Sequence, residues 1–297
     1  MPTFEVPTDD AVMQGFRSNR KAEGCTPATL RDYDQRLRTF RAWLGEHYSD
    51  LSLLRVQPKH IQAFLLWLAA EGRADWTRRS YYRALHAVYH WAVQEKLLDL
   101  SPLDTLQAPR VPKTYKPLLT DEQFKQLLAV CPQARFTGAR AAAMLWILRL
   151  SGMRFMELAR LGIVDLDADH EWIKVFGKGR KERYVEYPPQ AARAVWHYSK
   201  FRRDALPNLW LTEERTPMSP AGVRIAINRV YRRAGVQVKD ELHIFRRTWA
   251  VEKLRQGLAP KYLMELAGWQ DEGTMLRYLQ IVGSEEALEA AKRLRHR

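Results

Sequence analysis

Apolar residues recur every three or four positions through the first hundred residues, which is the spacing of one face of an α-helix. Leu30, Leu37 and Leu44 follow this spacing after Thr26-Pro27, a typical N-cap and first-turn proline. The same pattern predicts further helices near residues 10–21, 58–71 and 77–94. Amphipathic helices bury their apolar faces by packing together, so we expect a small helical bundle.

A polar segment interrupts this pattern at residues 107–117. It holds three prolines and three basic residues and little that could be buried, which is typical of an extended linker. We therefore expect a helical domain over residues 1–106, a basic linker over 107–117 and a second domain over 118–297.

The second domain combines helical spacing with one clear β pattern. Thr120 and Gln123 form a capping-box pattern, and residues 140–150 are apolar nearly all round, which predicts a buried helix. Two alternating segments, 172–176 and 183–187, flank Gly177-Lys178-Gly179-Arg180-Lys181 and predict a β-hairpin with a basic tip. Further helices are expected at 219–234, 243–256, 260–267 and 285–295. The predicted fold is mainly α with a small β-sheet: a helical bundle followed by a mixed α/β domain.

The basic residues are unevenly distributed along the chain. Over 297 residues, 48 Lys and Arg outnumber 34 Asp and Glu, for a formal net charge of +14. The first 106 residues contribute +1, the linker +3 and the remainder +10. A positive field of this kind attracts a polyanion, because each neutralised phosphate releases counterions. Nucleic acid is the leading partner, but a basic protein without such a partner would have the same composition.

The sequence contains neither a leader pattern nor a long apolar run. No charged-then-apolar segment follows Met1, and the longest apolar runs, 63–70 and 141–148, have eight residues. Cys25 and Cys131 fall in different predicted domains. We expect a protein of the reducing cytoplasm with no membrane span.

Several common chemistries do not fit the sequence. Gly177-Lys178-Gly179 lacks the glycine spacing and the Ser/Thr of a P-loop, and no glycine-framed serine forms a nucleophile elbow. His86 and His90 are four residues apart on a helix, but the glutamate and third ligand of a zinc site are missing. We expect an ordinary helix face there and no metal site.

Four short segments combine cations or polar donors with glycines, and a tyrosine follows the last of them. They are Ser151-Gly152-Met153-Arg154-Phe155-Met156-Glu157, Gly177-Lys178-Gly179, His243-Ile244-Phe245-Arg246 and Gly268-Trp269, with Tyr278 nine residues on. In this order and spacing the set resembles the tyrosine recombinases, also called the phage integrase family. That family has a Gly-x-Arg-x-x-Glu box, a hairpin lysine, a His-x-x-Arg box and a Gly-His/Trp step before a nucleophilic tyrosine. The amino-terminal bundle is similar to the family's core-binding domain, so we expect a compact, two-domain, Xer-like or Cre-like member.

The resemblance implies a site-specific DNA recombinase. In such an enzyme the tyrosine hydroxyl attacks a DNA phosphodiester, forms a 3′-phosphotyrosyl bond and releases a 5′-hydroxyl that later attacks a partner strand. The phosphotyrosyl bond conserves the energy of the bond that breaks, so neither a metal ion nor a nucleotide cofactor is expected. Two alternatives are a type IB topoisomerase, which does not exchange partners, and a DNA-binding protein that kept the fold and lost cleavage.

The motif residues fit the steps of that chemistry. Tyr278 is the candidate nucleophile, and its ordinary pKa of about 10 means that it needs a positive field and a proton acceptor. Arg154 and Arg246 would bind the non-bridging phosphate oxygens, because planar guanidinium groups match them in paired geometry. By resemblance Lys178 is the general acid for the 5′-oxygen, and His243 is the proton acceptor or hydrogen-bond donor near the tyrosine.

Two further residues complete the predicted site. Trp269 stands where many family members have histidine; its N–H can donate to a phosphate oxygen but cannot transfer a proton. Glu157, three residues after Arg154 on the same helical face, is expected to hold that guanidinium in place. Arg247 and Phe245 depart from the family's usual His-x-Leu-Arg-His box. We expect these departures to change local packing more than catalysis.

Each of these residues taken singly also has a plain structural interpretation. Arg154 could be a helix-end arginine paired to Glu157, and Trp269 could be a core residue. The hairpin lysine could belong to a solvated run of charge with its basic neighbours, which are Arg180, Lys181 and Arg183. The presence of all the motifs in order favours the catalytic interpretation.

The resemblance also implies a two-domain clamp around duplex DNA. Linker cations would contact phosphates without reading sequence, and the helix near 77–94 is a candidate for major-groove insertion or else a solvated helix face. The predicted DNA-contacting residues are Arg78, Arg79 and Arg83 on that helix, Arg110, Lys113 and Lys116 in the linker, and Arg180 and Lys181 at the hairpin tip.

The last 19 residues follow Tyr278 and end in a short amphipathic pattern after Gly283. A free helix of that size would be marginal, so it is expected to dock. The resemblance implies docking on a neighbour, in a homo- or hetero-tetramer assembled on two DNA sites. No arm-binding domain precedes the bundle, so we expect a chromosome-dimer or plasmid resolvase, or a compact mobile-element integrase.

Overall fold

The computed structural model describes residues 7–49, 51–112, 116–177, 182–238 and 240–295, and it describes side chains as far as residue 284. The chain divides into two compact units, residues 1–114 and 115–297. The functional division into a DNA-binding domain, a linker at 107–117 and a catalytic domain stays a prediction.

The first unit is helical. Its helices are α1 (Asp9–Ala22), α2 (Pro27–His47), α3 (Pro58–Ala70) and α4 (Asp75–Gln94), and a short 3-10 turn covers Leu53–Arg55. Each helix lies where the apolar spacing predicted one, and Thr26 caps α2 by accepting a hydrogen bond from the backbone N–H of Thr29 at 3.2 Å. Phe40, Trp43 and Phe64 meet in the core with ring centroids 4.9 to 6.3 Å apart.

The second unit is mainly helical around a small antiparallel sheet. Its elements are α5 (Asp121–Ala129), α6 (Phe136–Ser151), α7 (Phe155–Ala159), β1 (Leu166–Asp167), β2 (Trp172–Phe176), β3 (Glu182–Glu186), α8 (Pro189–Ser199), α9 (Pro220–Ala234), α10 (His243–Arg255), α11 (Pro260–Ala267) and α12 (Glu272–Arg295). The strand order is β1-β2-β3, and Val175 pairs with Arg183 across the predicted hairpin. The mainly α fold with a small sheet is therefore confirmed.

Helix α6 runs through the middle of the second unit. Side chains on every face of it are buried, as its unbroken apolar pattern predicted. The predicted capping box forms at α5, where Thr120 Oγ1 accepts from the N–H of Gln123 and Gln123 Oε1 accepts from the N–H of Thr120, both at 3.1 Å. These contacts fix the framework from which the motif residues project.

Helix α12 is longer than its sequence predicted. The pattern indicated a short helix after Gly283, whereas the structure has one helix from Glu272 to Arg295 that includes Tyr278. A glycine inside a helix costs about 1 kcal/mol but does not block it, and nothing lies within 4 Å of the space that a side chain at Gly283 would occupy. No helix among the described residues is long and apolar enough to cross a membrane.

Candidate active site

The ends of four helices bring the separated motifs together. Arg154 is the N-cap of α7, His243 and Arg246 lie in the first turn of α10, and Gly268 ends α11. Tyr278 lies in the second turn of α12. Motifs that are more than a hundred residues apart in sequence therefore meet at one place in the fold.

Gly152 allows α6 to end close to α10. It has a φ of 62°, the left-handed region that favours glycine, and an added Cβ would lie 2.1 Å from the ring of Trp249. The carbonyl of Gly152 accepts a hydrogen bond from Nη1 of Arg246 at 2.7 Å. The glycine of the first motif thus contributes to holding the second predicted arginine.

Arg154 is held by Glu157 while its side chain stays partly open. Its Nη1 donates to Glu157 Oε1 at 3.0 Å, and its backbone N–H donates to Glu157 Oε2 at 2.7 Å. The Arg154 side chain is 37% exposed, whereas that of Glu157 is 5% exposed. Glu157 therefore anchors the arginine from the buried side, which is the contact that the sequence predicted.

Arg246 is a buried cation. Its Nη1 donates to Gly152 and its Nη2 to the carbonyl of Ala267 at 2.5 Å. Burial lowers the pKa of Arg246 to about 9, and the nearby positive charge of Arg154 adds to this effect. Because the two guanidinium groups repel each other, an anion bound between them would be stabilised.

Successive carbonyls at the end of α11 bind three different arginines. Arg183 Nε donates to Leu266 at 2.9 Å, Arg246 Nη2 to Ala267 at 2.5 Å and Arg154 Nη2 to Gly268 at 2.6 Å. The last carbonyls of a helix lack intrahelical partners and carry its negative dipole end, so cations stabilise them. We call Leu266, Ala267 and Gly268 the carbonyl platform, and Arg154, Arg183 and Arg246 the arginine cluster.

Arg183 was missed as a site residue. The sequence placed it in a solvated run of charge, but its side chain is 12% exposed and donates through both Nη atoms to Glu157 at 2.7 Å. The signal was present in the alternation of β3, because Arg183, Val185 and Tyr187 share one face and the last two are buried.

Tyr278 stacks on Trp269. The two rings are nearly parallel, at 4°, with centroids 5.0 Å apart, and the Arg246 guanidinium lies 5.2 Å from the Trp269 centroid. Burial raises the pKa of Tyr278, while the positive charges of Arg247 and Arg246 act in the opposite direction. The phenol is therefore protonated at neutral pH and lies in the field of the arginines.

A cavity opens beside the arginine cluster. It has a volume of about 510 Å³, and Arg154, Arg224, Asn228, Asp240 and His243 are among the residues that line it. His243 is exposed at the first position of α10. A phosphodiester entering this cavity would meet Arg154 and His243 together.

Phe245 and Arg247, the two residues that depart from the family's usual His-x-Leu-Arg-His box, have different roles. Phe245 is fully buried, and its ring lies 6.3 Å from those of Phe124 and Tyr231, so it fills the core. Arg247 Nε donates to the carbonyl of Pro117 at 3.0 Å, and its charge acts on Tyr278. Arg247 ties the start of the second unit to the helix that carries Arg246.

Some predicted residues lie outside the described part of the chain, namely Lys113, Lys178, Arg180 and Lys181. Of the other predicted DNA contacts, Arg83 and Arg110 are exposed. Arg78 pairs with Asp75, Arg79 donates weakly to the carbonyl of Pro109 at 3.5 Å, and Lys116 lies 3.6 Å from Asp240. The described residues contain no cluster of three or more His, Cys, Asp or Glu side chains that could hold a metal ion.

Comparison with known proteins defines the class. Residues 117–283 match the model of the phage integrase family, and residues 18–96 match that of the phage integrase N-terminal SAM-like domain. The first match covers more than half of the chain, so the chain belongs to the phage integrase family.

Among curated relatives, tyrosine recombinase XerC of Myxococcus xanthus is 28% identical over 280 residues, covering 91% of this chain and 93% of the relative. Tyrosine recombinase XerC of Leptospira interrogans serovar Lai is 28% identical over 259 residues, covering 83% and 81%. These similarities and the family match make the chain a tyrosine recombinase, an enzyme of site-specific DNA strand transesterification, as the motifs predicted. The topoisomerase and non-catalytic alternatives are not favoured.

Solved structures share the fold. XerH recombinase bound to palindromic difH, a post-cleavage complex, superimposes with a TM-score of 0.74 at 16% identity, covering 98% of this chain and 85% of that one. A lambda integrase tetramer bound to a Holliday junction gives a TM-score of 0.71 at 15% identity, covering 89% and 78%. At such identities the comparison concerns the fold alone.

Proposed function

We propose that Tyr278 is the nucleophile and that Arg154 and Arg246 bind the scissile phosphate. The phenol oxygen forms a bond to phosphorus, and the bond from phosphorus to the 5′-oxygen breaks. The phenol proton passes to an acceptor, and the departing 5′-oxygen receives a proton. The observation that carries this proposal is the position of Tyr278 in the field of Arg246, beside a second guanidinium whose side chain is 37% exposed.

Each arginine has donors left for a phosphate. A guanidinium has five N–H groups, and Arg154 and Arg246 each use two of them in the side-chain contacts described above. The contacts already made fix the planes of the two groups before DNA arrives. Donors that are fixed in advance stabilise developing phosphate charge without reorganisation in the transition state.

Proton transfer is assigned to His243 and Lys178. His243 lines the cavity beside Arg154, so it is placed to donate to a phosphate oxygen there. Its role as acceptor of the phenol proton rests on its place in the His-x-x-Arg box. Lys178 stays the predicted general acid for the 5′-oxygen because of its place in the hairpin motif. Trp269 supports the ring of Tyr278 and transfers no proton.

The substrate is proposed to be double-stranded DNA, bound by a tetramer on two sites. The lambda integrase structure, a tetramer on a Holliday junction, supports this assembly by analogy. We propose that α12 provides the subunit contact and that Arg83 and Arg110, both exposed, contact phosphates. Because its substrate is cellular DNA, the enzyme is proposed to act in the cytoplasm.

The proposal is tested by trapping the covalent intermediate. Sites are first selected from random DNA duplexes with the full-length Tyr278→Phe protein, which retains the arginines. A duplex that carries the selected site and a nick next to the cleavage position is then mixed with wild-type protein. We expect a denaturant-resistant protein–DNA adduct at the 3′-phosphate that protease digestion removes, and no adduct with Tyr278→Phe.

Two results would contradict the proposal. A wild-type protein that binds the selected duplex without forming the adduct would show that the site does not cleave. An adduct that persists in Tyr278→Phe would assign the nucleophile to another side chain.

A further inference from the structure

Arg183 is a mostly buried cation, and each of its three nitrogen atoms donates a hydrogen bond within the protein. Nε donates to the carbonyl of Leu266 at 2.9 Å, and Nη1 and Nη2 each donate to one oxygen of Glu157 at 2.7 Å. This is the paired geometry in which arginine binds a carboxylate most strongly. Three of its five N–H groups already have partners within the protein, and its side chain is 12% exposed against 37% for Arg154, so Arg183 is less available than Arg154 to bind DNA directly.

Glu157 is shared between Arg183 and Arg154. Oε1 accepts from the side chains of Arg183 and Arg154, at 2.7 and 3.0 Å. Oε2 accepts from the side chain of Arg183 and the backbone of Arg154, both at 2.7 Å. Each carboxylate oxygen therefore has two donors. The position of the Arg154 guanidinium depends on Glu157, and the position of Glu157 depends on Arg183.

The carbonyl platform gives a second route from Arg183 to the site. Leu266, which accepts from Arg183, is one residue before Ala267, which accepts from Arg246, and two before Gly268, which accepts from Arg154. An added Cβ at Gly268 would lie 3.1 Å from the Arg183 side chain, so the two groups are in close contact. The platform therefore connects Arg183 to the acceptors of both other arginines.

We propose that Arg183 is a positioning residue that fixes Arg154 and Arg246 for phosphate binding, through Glu157 and the carbonyl platform. The inference rests on the proposed function, because it assigns Arg183 a role through the two arginines that are proposed to bind phosphate. Misplacing a catalytic group by about 1 Å lowers a rate by about a hundredfold.

The test compares full-length wild-type, Arg183→Met and Arg183→Lys proteins on the nicked duplex that carries the selected site. We expect Arg183→Met to form the adduct about a hundredfold more slowly in a single turnover, with duplex binding changed less than about threefold. Arg183→Lys should recover part of the rate, because lysine keeps the charge but binds one oxygen at a time.

The pH profile separates positioning from folding. Burial acts to raise the pKa of Glu157, but the hydrogen bonds from Arg183 and Arg154 leave it below its ordinary value. Without the Arg183 contact we expect the pKa of Glu157 to rise, so the part of the acid limb of the adduct rate that disappears in Glu157→Gln should move to higher pH in Arg183→Met. Arg183→Lys should return it toward the wild-type position.

Arg202→Met is the matched control. The Arg202 side chain is 6% exposed, pairs with Asp204 and donates to backbone carbonyls that include Asn208 and Leu206, so its loss costs stability in a similar way. These partners lie outside the arginine cluster and the platform. We expect a lowered Tm with the wild-type adduct rate and pH profile, measured below the unfolding transition.

A double substitution keeps the inference testable if Arg183→Met folds poorly. Because Arg183 acts in part through Glu157, the rate loss of Arg183→Lys combined with Glu157→Gln should be smaller than the product of the two single rate losses. If the rate losses of the two single variants multiply in the double variant, the inference is overturned. A wild-type rate and pH profile in Arg183→Met would also overturn it, as would an equal rate loss in Arg202→Met. A wild-type protein without any adduct would overturn the proposed function itself, and this inference with it.

Discussion

The arginine side and the tyrosine side of the site are held by different forces. Arg154, Arg183 and Arg246 are fixed by hydrogen bonds to Glu157 and to backbone carbonyls, beside the largest core of the second unit. Tyr278 is held by a ring stack and by a smaller apolar cluster, in which Met275 and Val282 of its own helix are buried. Hydrogen bonds specify direction, whereas apolar contacts do not.

This contrast corresponds to the two proposed functions of the site, phosphate binding and presentation of the nucleophile. The proposed phosphate-binding groups need a fixed geometry, because charge in the transition state must meet donors that are already in place. The nucleophile must also be brought in line with phosphorus, and the contacts described for Tyr278 that position it are a ring stack and apolar packing. Substitutions on the arginine side should therefore lower the rate more than substitutions of the support on the tyrosine side.

The largest expected effect comes from Arg246→Lys. Lysine cannot bind Gly152, Ala267 and a phosphate oxygen in one plane, so the donor is lost although the charge remains. We expect adduct formation to slow by about a hundredfold to a thousandfold, which corresponds to about 3 to 4 kcal/mol in activation free energy. Single-turnover kinetics on the nicked duplex measure this effect. A rate within threefold of wild type would mean that charge alone is sufficient.

Gly152→Ala tests the framework under the arginine side. The substitution combines an unfavourable φ with overlap on Trp249, and we expect it to destabilise the second unit by about 2 to 4 kcal/mol. Gly235 also has a positive φ, of 67°, but has nothing within 4 Å of an added Cβ. Gly235→Ala should therefore cost only about 1 kcal/mol. Denaturant unfolding of both variants separates strain from overlap, and equal losses would exclude the Trp249 contact as the cause.

Glu157→Gln tests the charge that links Arg154 to Arg183. The pKa of Glu157 is below its ordinary value of 4.5, so the ionised carboxylate stabilises the folded state. That contribution is complete above the ordinary pKa and is lost as pH falls through the lowered pKa of the folded state. We expect Glu157→Gln to be less stable by about 2 kcal/mol near pH 7. The difference in Tm should narrow below about pH 4, and a difference independent of pH would contradict the assignment.

Trp269→Ala tests the tyrosine side and has the smallest expected effect. Loss of an aromatic pair costs about 0.5 to 1.5 kcal/mol, so adduct formation should slow by roughly threefold to tenfold. Trp269→Phe keeps a ring under Tyr278 and should recover most of this loss. If Trp269→Ala were as slow as Arg246→Lys, the proposed division between the two sides would be incorrect.

Much of the fold follows from local pattern. Helices α1 to α4 and α9 to α11 lie where the spacing of their sequences predicts them, and the hairpin follows from two alternating segments. Helix α12 is longer than predicted, because Gly283 was interpreted as the boundary of a helix, whereas the helix continues through it. Strand β1 was not predicted, because a strand of two residues carries too little pattern to detect. Helix α8 was also not predicted, although Ala191, Val195 and Tyr198 are buried at helical spacing after Pro189.

The candidate site likewise contains residues that the sequence predicted and one that it did not. The order of the motifs identified Arg154, His243, Arg246, Trp269 and Tyr278 as candidates. The structure places four of them at the carboxyl end of α11 and places His243 in the cavity beside Arg154. Arg183 was missed because a charge beside other charges is typical of a solvated surface. Its inward direction depends on strand register, and its partners are 26 and 83 residues away in sequence.

Besides the Glu157 carboxylate, the acceptors that hold the arginine cluster are the peptide oxygens of Gly152, Leu266, Ala267 and Gly268. A peptide oxygen is present whichever amino acid the gene encodes at that position. Any amino acid at positions 266 and 267 supplies one, so a mutational scan would record the platform only indirectly, through the helix that presents it. Replacing the amide by an ester at these positions in a semisynthetic protein would weaken the acceptor while leaving every side chain unchanged.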